Sequence, residues 1–239
     1  MQKLFVDFTP EEIIELDEEQ SRHIAKSLRM RVGDMLTLSC GDGSDYGCMI
    51  EEINAAHVVL KRCYKQANGS EPGVRVHIYQ GVPKGDKLED VIQKCTELGM
   101  TELTPVLTHR SVSRPDGKAA MKKQARYQKI ALEAAQQSGR GIVPEIHPMC
   151  ELSQAVKNDG AELKILFYEG GGQALKDLVN KDVRSISVYI GPEGGFEESE
   201  VELIRQCGGV VATLGPRILR TQTAPTAALT AIMVLTDNM

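Results

Sequence analysis

The chain has 239 residues, enough for one large domain or two smaller ones. With 41% hydrophobic and 26% charged residues it suits a globular protein with a sizeable core, and no apolar run is long enough to span a bilayer. The net charge of −5 argues, taken alone, against a nucleic-acid partner.

In chain order, the first seventy residues read as β-rich. Short alternating runs at 4–6, 35–38, 48–50 and 57–60 are separated by Gly and Asp turns such as Gly41-Asp42-Gly43. One short helix is predicted over 17–28, with Asp17 as N-cap and Gln20 reaching back to it. This pattern predicts a small barrel over 1–70. The stretch 68–73 (Asn-Gly-Ser-Glu-Pro-Gly) reads as a linker.

From Val74 the rhythm changes to strand–helix alternation, predicting a second domain over 74–239. Strands are predicted at 74–82, 103–107, 163–168, 185–190 and 210–214. An amphipathic helix over 87–98 is stopped by Gly99; further helices are predicted at 118–137 and about 224–236. Near-continuous apolar strands alternating with helices imply an α/β fold with a parallel sheet covered on both faces.

The helix at 118–137 falls in a locally basic stretch. Thr108 to Gly141 holds eight Lys or Arg against two acids, so overall charge does not settle the choice of partner. At about 100° per residue, Met121, Ala125, Leu132 and Ala135 share one arc, and Lys118, Lys122, Arg126 and Lys129 the adjacent one. A row of cations beside a packing face is compatible with a phosphate backbone. A solvated helix face is the alternative.

Motif by motif, much chemistry is excluded. The sequence holds neither a P-loop nor a dinucleotide fingerprint, and no metal-binding or Gly-x-Ser-x-Gly motif, so no metal is expected. Six scattered cysteines without a Cys-x-x-Cys pair suit a reducing compartment. The N-terminus lacks a charged-then-apolar leader, and a cytoplasmic location is expected. What remains are three glycine-bearing strand ends: Tyr168-Glu169-Gly170-Gly171-Gly172, Gly191-Pro192-Glu193-Gly194-Gly195 and Gly215-Pro216-Arg217. Open α/β sheets bind ligands outside the carboxyl ends of their strands, and glycine permits close backbone approach.

The segments Ile190-Gly-Pro-Glu-Gly-Gly-Phe196 and Leu214-Gly-Pro-Arg-Ile-Leu-Arg-Thr221 resemble the signatures of the rRNA small-subunit methyltransferase E (RsmE) family. Three further stretches fit in the same order: 23–34, 93–99, and 128–140 with 143–146. The resemblance implies a PUA-like β-barrel for RNA binding, followed by a SPOUT-type methyltransferase domain with a trefoil knot. It implies S-adenosylmethionine as cofactor, methylation of a uridine at N3 in 16S rRNA of the small ribosomal subunit, and a homodimer.

By the same resemblance the cofactor pocket comprises Leu166, Phe167, Tyr168, Glu169 and Gly170; Ile190, Gly191, Pro192, Glu193 and Gly194; and Leu214, Gly215, Ile218, Leu219 and Arg220. Uracil N3 must lose a proton, so a base or an anion-stabilising group is required. Arg220 is the expected stabiliser of a uracil oxygen. Glu193 is a candidate base, with cofactor binding and helix capping as alternatives. RNA contacts are expected from Lys118, Lys122, Arg126 and Lys129 with Arg110, Arg114 and Arg140, extended by Arg22, Arg29 and Arg31. Two residues depart from the family pattern: Gln222 replaces a usual Glu, and His109 replaces an acid before Arg110. The change at Gln222 leaves room for an alternative, a non-catalytic RNA-binding ribosome assembly factor.

Overall fold

The computed structural model describes residues 2–54 and 56–239, which divide into two compact units. Of the described residues, the first comprises those up to 71 with 135–143, the second 72–134 with 144–239.

The first unit contains β1 (Gln2–Phe5), β2 (Ile13–Leu16), α1 (Glu18–Arg22) continuing into a π-helical turn (His23–Ser27), β3 (Met35–Ser39), β4 (Ser44–Ile53) and β5 (Val58–Ala67). The strands pair in the order β1-β3-β4-β5-β2; only the β1–β3 pair is parallel. In β2, Ile14 and Leu16 are buried while Ile13 and Glu15 are exposed, the period-two alternation of a half-buried strand. Ile24, Leu36, Leu38, Ile50 and Leu60 meet in the core. Asp17 caps α1 as expected, accepting the Gln20 N–H at 2.7 Å. The reciprocal bond from the Gln20 side chain does not form, and its Oε1 is buried without a partner among the described residues.

Residues 135–143 are tied to this unit by a buried ion pair and by hydrogen bonds from Lys3, Ser39, Asn68 and Ser70 to the carbonyls of Gly139 and Gly141. Arg140 is 2% exposed and donates to both oxygens of Glu71, through Nη2 at 2.7 Å and Nε at 3.2 Å. Glu71 also accepts the N–H groups of Gly141 and Ile142 at 2.8 and 3.1 Å. This corrects the expectation that Arg140 contacts RNA. Its charge is used internally, because a buried guanidinium requires a fixed counter-charge.

The second unit contains β6 (Arg75–Gly81), α2 (Lys87–Glu97), β7 (Glu102–Leu107), most of α3 (Gly117–Ser138), β8 (Glu145–Ile146), β9 (Cys150–Glu151) and α4 (Leu152–Asn158). There follow β10 (Leu163–Phe167), β11 (Gln173–Ala174), α5 (Leu175–Leu178), β12 (Ser185–Ile190), α6 (Glu198–Gln206), β13 (Val210–Thr213) and α7 (Thr223–Leu235). The sheet runs β11-β13-β10-β12-β6-β7-β8, with β9 also on β7, and every pairing is parallel. Tyr79 and Tyr189 stack at 4.7 Å within its core, and the Tyr189 hydroxyl donates to buried Asp159 at 2.6 Å.

The packing face of α3 differs from the predicted arc. Met121 and Ala125 are exposed, whereas Tyr127, Ala131, Ala134 and Ala135 are buried. Two glutamines explain the rotation. Gln124 and Gln128 donate to the carbonyls of Ile146 and Pro144 at 3.1 and 2.9 Å, and Gln128 accepts the Ile146 N–H at 2.9 Å. The backbone around a two-residue edge strand needs partners, and these amides turn inward to supply them. Lys118, Lys122, Arg126 and Lys129 are all exposed, as the cation arc requires.

Candidate active site

The register of the sheet brings the glycine loops together. Phe167 pairs with Ile190 and with Ala212, and Ile190 pairs with Gln80, so β13, β10, β12 and β6 reach the same level side by side. The three loops that leave β10, β12 and β13 enclose a cavity of about 800 Å³. Two glycines show why the chain needs that residue here. Gly215 has φ +99°, a conformation that side chains disfavour. A Cβ on Gly81 would lie 2.5 Å from Pro192 Cδ and 2.6 Å from Pro192 N, so the Gly191-Pro192 turn packs directly on β6.

Most of the expected cofactor residues line this cavity. From the first loop come Phe167, Tyr168 and Glu169. The second supplies Ile190, Gly191, Pro192 and Glu193. The third supplies Leu214, Gly215, Ile218, Leu219 and Arg220. Three others stand behind the lining. Leu166 is fully buried in the core, since alternate strand residues face opposite ways. Gly170 packs against the Tyr168 ring, and Gly194 against the stem of Arg110. The lining also includes Phe196, Arg217, Thr221 and Ala224, which the expected cofactor set did not include. Phe196, Arg217 and Thr221 lie inside the two signature segments, whereas Ala224 carries no signal of its own.

Arg220 is exposed at the cavity wall, and its guanidinium has no hydrogen bond or ion pair among the described residues. Glu193 is different. Its carboxylate accepts from Lys87 Nζ at 2.6 Å and from the Lys84 N–H at 3.2 Å. Burial alone would raise its pKa, but these bonds and its own N–H hold the carboxyl below its ordinary value. These contacts tether the Gly191 loop to Lys84 and Lys87, and a carboxylate stabilised in this way is a weakened proton acceptor.

Arg110 keeps an ionic partner despite His109. Its Nη1 donates to the Gly194 carbonyl at 2.7 Å, and Nε lies 3.9 Å from Glu197. Arg110 therefore braces the Gly191 loop. Arg114 is similarly engaged, with Glu151 at 3.1 Å and the Thr108 carbonyl at 2.9 Å. On α3, Arg126 pairs with Glu89 at 2.7 Å and Lys129 approaches Glu133 at 4.0 Å. Arg22, Arg29 and Arg31 are exposed on the first unit, where Arg22 pairs with Glu18.

A second, polar cavity of about 490 Å³ adjoins β6, β7 and β12. There Glu102 Oε2 lies 2.9 Å from His147 Nε2 and 3.6 Å from His77 Nδ1, a spacing that suits a metal ion. Arg75 already neutralises Glu102 at 2.7 Å, and Thr104 meets His77 Nε2 at 2.8 Å. The group is satisfied as a hydrogen-bonded network. No metal motif was visible in the sequence because its three members sit in separate segments.

A parallel sheet bearing this cavity, preceded by a small β unit, defines the class. The RNA methyltransferase domain matches residues 70–233, and the RNA methyltransferase PUA domain matches residues 16–61. The chain belongs to the ribosomal RNA small subunit methyltransferase E family. It is 37% identical over 251 residues to the Bacillus subtilis member, covering 99% of this chain and 98% of that one. The Neisseria gonorrhoeae member, solved bound to S-adenosyl methionine, superposes with a TM-score of 0.91 at 28% identity over 98% of each chain. A Legionella pneumophila structure with bound SAM gives a TM-score of 0.88 at 30% identity, covering 98% of this chain and 96% of that one.

Proposed function

We propose that the chain binds S-adenosylmethionine in the cavity beyond β10, β12 and β13 and methylates N3 of a uridine in 16S rRNA. The observation that carries this reading is a cavity of about 800 Å³ with the uncommitted Arg220 at its wall. The volume lies within the roughly 300–1,000 Å³ of small-molecule sites. Backbone N–H and C=O groups of three loops, with apolar Phe196 and Leu219, suit an adenosine and a methionine tail. The family name and the SAM-bound relatives point the same way.

When bound, the sulfonium cofactor supplies an electrophilic methyl carbon for in-line displacement, which alignment accelerates. The chain's own part is to hold that geometry and to stabilise charge. Glycines 191 and 215 let the backbone close on the ligand. Arg220 steadies a uracil oxygen as N3 loses its proton. Residues 1–70 serve as the RNA-binding module and 74–239 as the transferase module. Exposed Lys118 and Lys122 on α3, and Arg29 and Arg31 on the first unit, supply phosphate contacts. The threaded C-terminal segment implied by the family resemblance belongs to this reading, as does the homodimer. No helix among the described residues is long and apolar enough to cross a membrane, and the proposed compartment, with rRNA as substrate, is the cytoplasm.

Calorimetry with S-adenosylmethionine, paired with labelled methyl transfer to 16S rRNA, tests the reading. Arg220→Ala is expected to retain the cofactor and to lose about a hundredfold or more in transfer rate. Wild-type protein that binds RNA but no S-adenosylmethionine would favour the non-catalytic alternative.

A further inference from the structure

Behind the cavity lies a polar residue that the proposed chemistry does not use. Gln80, near the end of β6, is completely buried. Its Nε2 donates to the Gly81 carbonyl at 3.0 Å and to Thr221 Oγ1 at 3.1 Å, and lies 3.4 Å from the Gly191 carbonyl. The Thr221 hydroxyl in turn donates to the Gly191 carbonyl at 3.0 Å. Three groups far apart in sequence thus share one buried network: the end of β6, the first residue of the Gly191 loop, and the residue that follows Arg220.

Such a network is costly to keep. Burying a primary amide without full pairing is unfavourable, and Gln80 Oε1 has no partner among the described residues. A leucine of similar volume would fill the space without that penalty. Simple core packing therefore does not explain a glutamine here. Its position does: the only covalent link between Thr221 and Arg220 is one peptide bond, so fixing the Thr221 hydroxyl fixes where the Arg220 backbone leaves the cavity wall. In a low-dielectric interior the two bonds in series reinforce each other.

We propose that Gln80 and Thr221 form a positioning clasp that locks the Arg220 segment to the Gly191 loop, so that the cofactor-facing backbone and the guanidinium keep one relative geometry. The clasp touches no reacting atom; it acts through Arg220 and Gly191. The inference rests on the proposed reading of the cavity for its effect on catalysis, but not for its effect on the loops.

The test uses the full chain with Gln80→Leu, Thr221→Val, Thr221→Ser and the double variant Gln80→Leu/Thr221→Val. Methyl transfer to 16S rRNA at saturating S-adenosylmethionine should fall at least about tenfold in each of Gln80→Leu and Thr221→Val. The KM for S-adenosylmethionine should change less than kcat does. The double variant should be no slower than the slower single one, because both remove the same link. Thr221→Ser keeps the hydroxyl and should recover most of the kcat that Thr221→Val loses. Hydrogen–deuterium exchange on the same proteins should show faster exchange in residues 190–195 and 214–221 for either disrupting variant. Unchanged kcat in both, or losses that multiply in the double variant, would overturn the clasp. If the wild-type protein transfers no methyl group, the functional reading fails. Exchange then decides the clasp alone: coupled loosening of both loops supports it, and independent or absent loosening refutes it.

Discussion

Gly81→Ala isolates the close approach on which the cavity depends. The added methyl would meet Pro192 at 2.5–2.6 Å, whereas ordinary contacts begin near 3.4 Å. The atoms it meets are Pro192 Cδ in the ring and the backbone N, with Gly191 C at 3.0 Å, so no flexible side chain can swing aside. Either the Gly191 loop retreats by roughly an ångström or β6 bends. Overpacking of this kind typically costs about 1–3 kcal/mol. A shift of that size in a substrate-positioning loop can cost up to about a hundredfold in rate. The variant is therefore expected to lower the urea midpoint modestly and to weaken S-adenosylmethionine binding and methyl transfer strongly. Calorimetry and labelled-methyl transfer on the same preparation read both effects. Wild-type affinity and rate in Gly81→Ala would refute the argument that the loop is seated on β6.

Four further outcomes follow from the same structure. Glu71→Gln removes the carboxylate that pairs with buried Arg140 and should cost about 3–5 kcal/mol in urea unfolding. Arg140→Met should leave the salt dependence of RNA binding unchanged, while Lys122→Ala should make it shallower by about one unit of slope; the reverse pattern would return Arg140 to the RNA surface. Burial pushes the Cys48 thiol up to about 11 and the Cys95 thiol up to about 12, whereas Cys63 is exposed. Alkylation of the native protein should therefore reach Cys63 first, and Cys48 and Cys95 only on unfolding; early labelling of either buried thiol would contradict its core placement. Burial, aided by nearby His147 and Arg75 against the pull of Glu102, lowers His77 to about 4. Its unfolded counterpart titrates near 6.5, so the unfolded chain takes the extra proton first and stability falls as pH drops from about 6.5 towards 4. His77→Gln should flatten urea stability across that window, and an unchanged pH slope would refute this assignment.

The site was legible where chemistry and chain order coincide. Gly191-Pro192 and Gly215-Pro216 follow apolar strands, and strand ends are where a parallel sheet gathers its loops. What stayed hidden depends on partners distant in sequence. Glu193 reads as a free carboxylate until Lys84 and Lys87 are brought to it, and Arg140 reads as a surface cation until Glu71 is. Arg110, which follows His109 rather than an acid, likewise finds its ionic partner in Glu197, distant in sequence. Strands β8, β9 and β11 span two residues each, too short to show a period. The rotated face of α3 shows a different limit: an arc scored on Met and Leu overlooks glutamines turned inward by the hydrogen-bonding demand of a neighbouring backbone.

The most direct measurement is nucleoside mass spectrometry of 16S rRNA after incubation with the purified protein and methyl-labelled S-adenosylmethionine. The account predicts one labelled product, uridine methylated at N3, formed by wild-type protein and lost with Arg220→Ala. Label on another base, label on another atom of uridine, or undiminished transfer by Arg220→Ala would contradict it.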